Sequence, residues 1–327
     1  MPVNLPNFLV IGAPKAGTTS LYNYLKQHPQ VYMSPAKEPK FFAFEGSSLS
    51  FNGSDKASFQ IRNSTIVDIE SYEKLFSGVT GEIAIGEASP IYLHHSRAAE
   101  RIHHYIPDCK FVAILRNPME RLYSDWKHNF HYGYETIGRF RPAVDAWQKK
   151  REKQNFIPYL NYVEKGYYAK HISRYLENFQ HDRFALFLFE DLQAYPGHVM
   201  RSIFEFLGVD NEAVIDTNEK HMVAANTLWR FPRLQTRLSR INKTLQGSKL
   251  AGATQCESWI RKTFCVPPQL NDQDYRWLLR RYQNDIRGLE QMLSRDLSGW
   301  FDENRRKVEP CKRSMHPGIL FKRQLVI

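Results

Sequence analysis

Residues 8–20, Phe-Leu-Val-Ile-Gly-Ala-Pro-Lys-Ala-Gly-Thr-Thr-Ser, constrain the fold more than any other stretch of this chain. The apolar run Phe8–Ile11 predicts a buried strand, which ends at Gly12, Ala13 and Pro14. Small and hydroxylated residues follow. Leu21, Leu25 and the tyrosines between them then mark a helix over about Thr19–Gln27, stopped by His28-Pro29. Strand, tight loop and helix bring free backbone N–H groups, the positive end of a helix dipole and hydroxyls to one place. A phosphate suits that place.

The alternation of strand and helix continues down the chain. Val31–Met33, Ile83–Glu87, Lys110–Leu115 and Phe184–Phe189 read as strands. Tyr72–Phe76, Ser96–His104, Met119–Phe130, Tyr167–Phe179, Val199–Leu207 and Asn271–Leu297 read as helices. In the last of these, Trp277, Leu278, Tyr282, Ile286, Leu289 and Leu293 are placed on one apolar stripe. The pattern predicts an α/β fold, a mostly parallel central sheet flanked by helices, with ligands beyond the carboxyl ends of the strands. No linker or repeat interrupts it, so residues 1–302 are assigned to one domain and 303–327, with Arg305-Arg306-Lys307 and Lys322-Arg323, to a basic C-terminal tail. The Ser- and Asn-rich stretch Gly46–Thr65 is expected to be a surface loop, and the charged, aromatic residues 133–159 a solvated helix face.

The net charge of +11 points to an anionic ligand. No nucleic-acid-binding module is visible, so no nucleic acid is expected as a partner. No apolar run approaches the roughly 20 residues of a membrane span, and the N-terminus has neither the basic start nor the apolar stretch of a signal peptide. A soluble, cytoplasmic protein without a membrane partner is expected. The cysteines at 109, 256, 265 and 311 lack metal-ligand spacing, and Cys109 is expected to be a buried thiol.

Gly12 and Gly17 have the separation of the nucleoside-triphosphatase P-loop, but Thr18 stands where that motif has its lysine. The cation, Lys15, comes two residues before Gly17 instead. This shifted pattern resembles the loop that binds the 5′-phosphosulfate in sulfotransferases using 3′-phosphoadenosine 5′-phosphosulfate (PAPS). Val112–Ser124 resembles the second signature of that family, a strand ending in an arginine followed by a helix carrying a serine eight residues on. Lys37–Phe42 resembles the segment bearing the catalytic glutamate in the glycan (heparan-sulfate-like) branch and its bacterial relatives. Gly86–Tyr92, the Phe187–Leu192 strand and Ile203–Gly208 extend the similarity over about residues 7–302.

The resemblance implies the P-loop-like nucleotide-binding sulfotransferase fold, PAPS as cosubstrate, adenosine 3′,5′-bisphosphate (PAP) as product and no required metal. The acceptor would be a hydroxyl or amine of a small molecule or sugar. By residue-wise match, Lys15 stabilises the leaving group. Ala16, Gly17, Thr18, Thr19 and Ser20 hold the 5′-phosphate, and Arg116 and Ser124 the 3′-phosphate. Arg261 and Lys262 fall where the family has a late basic loop on the donor. Glu38 is the general base, kept ionised by Lys37 and Lys40, with Glu87 or His128 next in line. Lys40 stands where glycan enzymes often carry a histidine and is expected to assist sulfate or acceptor binding. Ala43 and Ala88 replace an acidic residue and a lysine of the eukaryotic glycan enzymes, which opens the acceptor to metabolites of secondary metabolism. Golgi members carry a disulfide near Cys256 and Cys265; without a secretory signal, free thiols are expected here.

Plainer readings stand beside these. Lys15 would be a turn lysine, Glu38 a solvated carboxylate in a charge run, and Arg116 the partner of Glu120. As whole-chain alternatives, a P-loop kinase of a small metabolite would share the opening unit, and a non-catalytic polyanion-binding module would share the charge. Against the kinase stand the displaced lysine and the lack of an evident acidic strand end for Mg²⁺.

Overall fold

The computed structural model describes residues 5–49, 63–132, 134–151, 161–218, 228–229, 265–266 and 270–302. Five strands form its centre: β1 (Phe8–Gly12), β2 (Val31–Met33), β3 (Ala84–Ala88), β4 (Lys110–Leu115) and β5 (Phe184–Leu188). They pair in the order β2-β3-β1-β4-β5, every neighbour parallel. β1 and β5 are buried at every residue, as expected of a parallel sheet covered on both faces. A small antiparallel pair, Leu228–Trp229 with Cys265–Val266, lies outside this sheet.

Strand order explains where the loops meet. From β1 the chain runs outward to β2, returns to β3 and then crosses to β4 on the other side of β1. The direction of winding reverses at β1, and in open parallel sheets that reversal opens a crevice at the carboxyl ends. The loops after β1 and β4 therefore face each other.

The helices are α1 (Thr18–Leu25), α2 (Phe41–Phe44), α3 (Ile69–Glu73), α4 (Ala98–Tyr105) and α5 (Pro118–His131). They continue with α6 (Phe140–Arg151), α7 (Tyr168–Leu176), α8 (Phe189–Ala194), α9 (Pro196–Leu207) and α10 (Asp272–Leu293). Asn117 starts α5 by accepting from the N–H groups of Met119 and Glu120, and Pro118 takes the first helical position. Asp285 of α10 accepts from Ala169 N and Lys170 N at 3.1 and 3.0 Å, which docks the start of α7.

Two expectations need correction. The α10 stripe is Tyr275, Leu278, Tyr282, Ile286, Leu289 and Leu293. Trp277 lies off it, with the Arg281 and Arg141 guanidinium groups 3.9 and 5.0 Å from its ring. The Phe187–Leu192 segment is strand only to Leu188; Phe189 opens α8, whose first turn carries Glu190 and Asp191 where a helix dipole favours them. Phe41–Phe44 is helical, although nothing in its composition announces a helix. Arg101 donates to the carbonyls of Phe42, Ala43 and Glu45 at 3.2, 2.9 and 2.8 Å, satisfying the end of this short turn. Phe41 stacks on Tyr72 with ring centroids 4.6 Å apart.

Cys109 is buried and free, as expected. Arg261, Lys262, Cys256, Cys311, most of the 46–65 loop and the 303–327 tail lie outside the described residues. Among the described residues no helix is long and apolar enough to cross a membrane.

Gly86 pairs with Phe8 across the β1–β3 ladder. A Cβ on Gly86 would come within 2.3 Å of the Phe8 ring, which is fully buried and has nowhere to retreat. Overpacking of this kind typically costs about 1–3 kcal/mol. Gly86→Ala should lower the unfolding free energy by that amount in urea titrations, and an unchanged midpoint would mean that the ring moves aside.

Candidate active site

The loop after β1 is tied to β4 by Ala13 N, which donates to Ile114 O at 2.7 Å. Gly17 caps α1 in the left-handed region at φ 86°, and no side chain caps the helix with it. A Cβ there would be strained and would meet Leu192 at 3.1 Å and Phe189 at 3.2 Å. An uncapped first turn leaves its leading N–H groups without intrahelical acceptors, an arrangement a phosphate can satisfy. Ala16 and Thr18 are buried in this turn, while Thr19 and Ser20 are half-buried. The expected 5′-phosphate residues thus share one loop and helix start.

Arg116 closes the other side. Its Nη1 donates to Lys15 O at 3.2 Å, and its Nη2 to Glu120 Oε2 at 3.1 Å. The guanidinium lies 4.7 Å from the Phe189 ring centroid, and Nε is buried without a partner among the described residues. The ion pair with Glu120 is therefore present, and so is contact with the phosphate loop. Ser124 is buried two turns into α5.

Glu38 follows β2 and is held to the end of β3, its N–H donating to Ala88 O at 3.1 Å. Lys37 Nζ is 2.9 Å from Glu38 Oε1, in a half-exposed ion pair. Lys40 is buried, and its ammonium donates to Ser64 Oγ at 2.9 Å. Burial lowers the Lys40 pKa, and Glu38 works to raise it. Lys15, Glu38 and Lys40 have φ of 67°, 62° and 61°. Left-handed backbone is uncommon for such residues and clusters at functional sites.

The reserve base Glu87 lies at a buried strand end. Glu87 is at the end of β3, next to β1. Its carboxyl is fully buried, and Tyr72 donates to Oε1 at 3.3 Å. Burial pushes its pKa up to about 7, against hydrogen bonds from Tyr92, Ser89 and Tyr72. Glu87 is consequently sealed beneath the Glu38 segment, in a poor position to take a proton from an acceptor.

Charge gathers around Lys15. Burial lowers its pKa; Asp125 and then Glu38 oppose this, while Lys165 and Arg116 add to it. His128, one turn beyond Ser124 on α5, is pushed down to about 4 by burial and by Lys15. Asp125 is bound to Arg121 at 3.2 Å and Lys165 at 2.8 Å, all three buried. Neither Asp125 nor Lys165 was expected in the site. The Arg121–Asp125 spacing of four residues is a legible helix pair, but Lys165, in Tyr-Val-Glu-Lys-Gly-Tyr, carries no signal of its partner.

A sulfotransferase-domain family model matches residues 5–267. The crystal structure of a sulfotransferase from Alicyclobacillus acidocaldarius is 30% identical, with a TM-score of 0.70 over 92% of this chain and 100% of its own. The bifunctional heparan sulfate N-deacetylase/N-sulfotransferase 3 of Homo sapiens is 30% identical over 217 residues, 63% of this chain and 22% of that protein. Carbohydrate sulfotransferase 15 of Mus musculus is 26% identical over 253 residues, 63% of this chain and 44% of that protein. The chain thus spans less than half the length of these two relatives.

Proposed function

The chain belongs to the sulfotransferase family, and we propose that it transfers a sulfuryl group from PAPS to a hydroxyl or amine of a sugar or small molecule, releasing PAP. The observation that carries this reading is the contact of Arg116 with the Lys15 carbonyl, 101 residues apart in sequence. It joins an uncapped helix start to a second cation, one place for each phosphate of a doubly phosphorylated donor. The residues present fit such a donor. The buried Arg116 Nε, without a partner among the described residues, and the α1 start without a side-chain cap both favour an anion.

In the transfer, the bond between sulfur and the 5′-phosphate oxygen breaks and a bond from sulfur to the acceptor atom forms. Charge develops on the departing phosphate oxygen, and a cation there lowers the barrier. Lys15 is assigned that role, with its burial-lowered pKa favouring proton donation. Glu38 takes the proton that the acceptor loses. Lys40 holds the acceptor segment through Ser64 and contributes positive charge beside Glu38. Arg261 and Lys262 complete the donor clamp in this reading. The two relatives are named for N-sulfation of heparan sulfate and for carbohydrate sulfation, which supports a sugar among the acceptor classes.

A screen with ³⁵S-labelled PAPS against alcohols, amines and sugars tests the reading. Label transfer to one class supports it, and no transfer to any class counts against it. On the donor side, Arg116→Ala should weaken PAP far more than adenosine 5′-phosphate, which lacks the 3′-phosphate. Charged hydrogen bonds contribute about 1.5–3 kcal/mol each. Equal weakening of the two ligands in calorimetry would make Arg116 structural.

A further inference from the structure

We propose that Arg174, aimed by His171, is a positioning residue for the phosphate loop: its guanidinium holds the Leu93 carbonyl, and Leu93 braces the end of β1 from which the loop springs. The inference rests on the reading that this loop takes the donor's 5′-phosphate, and it adds two α7 residues that act through the turn after β3.

The turn after β3 lies against the end of β1. Ser89 N donates to Val10 O at 3.1 Å, and Leu93 N to Ile11 O at 2.9 Å. The Leu93 side chain is fully buried and packs so closely on Gly12 that a Cβ there would meet Leu93 Cδ2 at 2.7 Å. Gly12 is the last residue of β1, and the phosphate loop begins at the next one. Consecutive residues of α7 grip consecutive carbonyls of this turn. Tyr175 Oη donates to Tyr92 O at 2.9 Å, and Arg174 Nη2 to Leu93 O at 3.3 Å.

His171 sets the direction of that guanidinium. Arg174 Nη2 has one hydrogen for Leu93 O and another for His171 Nδ1, which lies 3.0 Å away. A guanidinium only donates, so Nδ1 carries the lone pair and the ring proton sits on Nε2. Nε2 donates to Glu164 O at 2.7 Å. One residue further on, Lys165 is bound to Asp125 of α5 at 2.8 Å. His171 is buried, and burial lowers its pKa, so the ring keeps this neutral form near neutral pH. The Glu164 carbonyl thus fixes the tautomer, and the tautomer aims Arg174 at the turn.

Two substitutions at one position separate the links. His171→Asn places an amide oxygen where Nδ1 stands, so it keeps the acceptor for Arg174 and loses the bond to Glu164 O. His171→Gln places an amide nitrogen where Nε2 stands, so it keeps the Glu164 bond and loses the acceptor. Each removes one hydrogen bond, and a merely structural role predicts equal effects. The test is hydrogen–deuterium exchange of the full chain, read by mass spectrometry on the peptide covering residues 12–18. Exchange there should be about three- to tenfold faster in His171→Gln and in Arg174→Met, and near wild type in His171→Asn, with β5 protected in all three. PAP affinity in calorimetry should fall about three- to tenfold in the first two variants only, the weight of a single hydrogen bond. Combining His171→Gln with Arg174→Met should add little to either change, since both cut the same link. Equal effects of the two His171 substitutions, an unmoved loop in Arg174→Met, or faster loop exchange with PAP affinity unchanged would overturn the proposal. If His171→Gln does not fold, Arg174→Met decides alone by the same two readouts. A wild-type chain that binds no PAP would defeat the functional reading, and the exchange pattern would still decide the brace.

Discussion

Glu38→Gln should bind donor normally yet turn over an alcohol acceptor about 100- to 10,000-fold more slowly, the usual contribution of a general base. The amide keeps nearly the same shape but cannot take the acceptor's proton. Packing should be unaffected, because Glu38 is half-exposed and its ion pair with Lys37 is at the surface, where such pairs contribute little. A neutral amine attacks without prior deprotonation, so the loss should be much smaller with an amine acceptor. Near-normal alcohol turnover in Glu38→Gln would remove Glu38 from the mechanism. The search would then move to His128, which burial keeps neutral but also makes a weaker base than an ordinary imidazole. Glu87, fully buried under Tyr72 and Tyr92, would be the weaker alternative.

Lys15→Ala should cost about 100- to 1,000-fold in turnover, the typical effect of removing one group from a preorganised charge-stabilising site. The left-handed backbone at Lys15 complicates a simple truncation, since alanine there carries the same strain as lysine. Lys15→Gly relieves that strain and should be at least as stable as wild type, yet equally slow. Steady-state kinetics with thermal melts separates the two contributions. Activity restored in Lys15→Gly would show that the loop conformation, and not the ammonium, carries the effect.

Much of the fold was legible because its strands are continuous apolar runs. β2 and β4 begin and end where the sequence places them, and the phosphate loop falls between β1 and α1 as its glycines require. The pairing of Arg116 with both the loop and Glu120 was legible only in halves. Sequence offered a phosphate ligand or an ion pair, and the folded arginine has enough donors to meet Lys15 O and Glu120 together.

What stayed hidden depends on contacts distant along the chain. The α2 turn is held by Arg101, 56 to 59 residues away. Lys165 meets Asp125 across 40 residues. No local period records either partner. The left-handed conformations of Glu38 and Lys40 are equally unmarked, since neither residue type predicts positive φ.

The central claim is a donor site built for two phosphates, one on the loop after β1 and one at Arg116. Isothermal titration with PAP and with ATP–Mg²⁺ tests it most directly. The account predicts tight binding of PAP in the presence of a chelator, weakened by Arg116→Ala and Lys15→Ala, and weak binding of ATP–Mg²⁺. Tight binding of ATP–Mg²⁺ with none of PAP would contradict it and return the opening loop to the kinases.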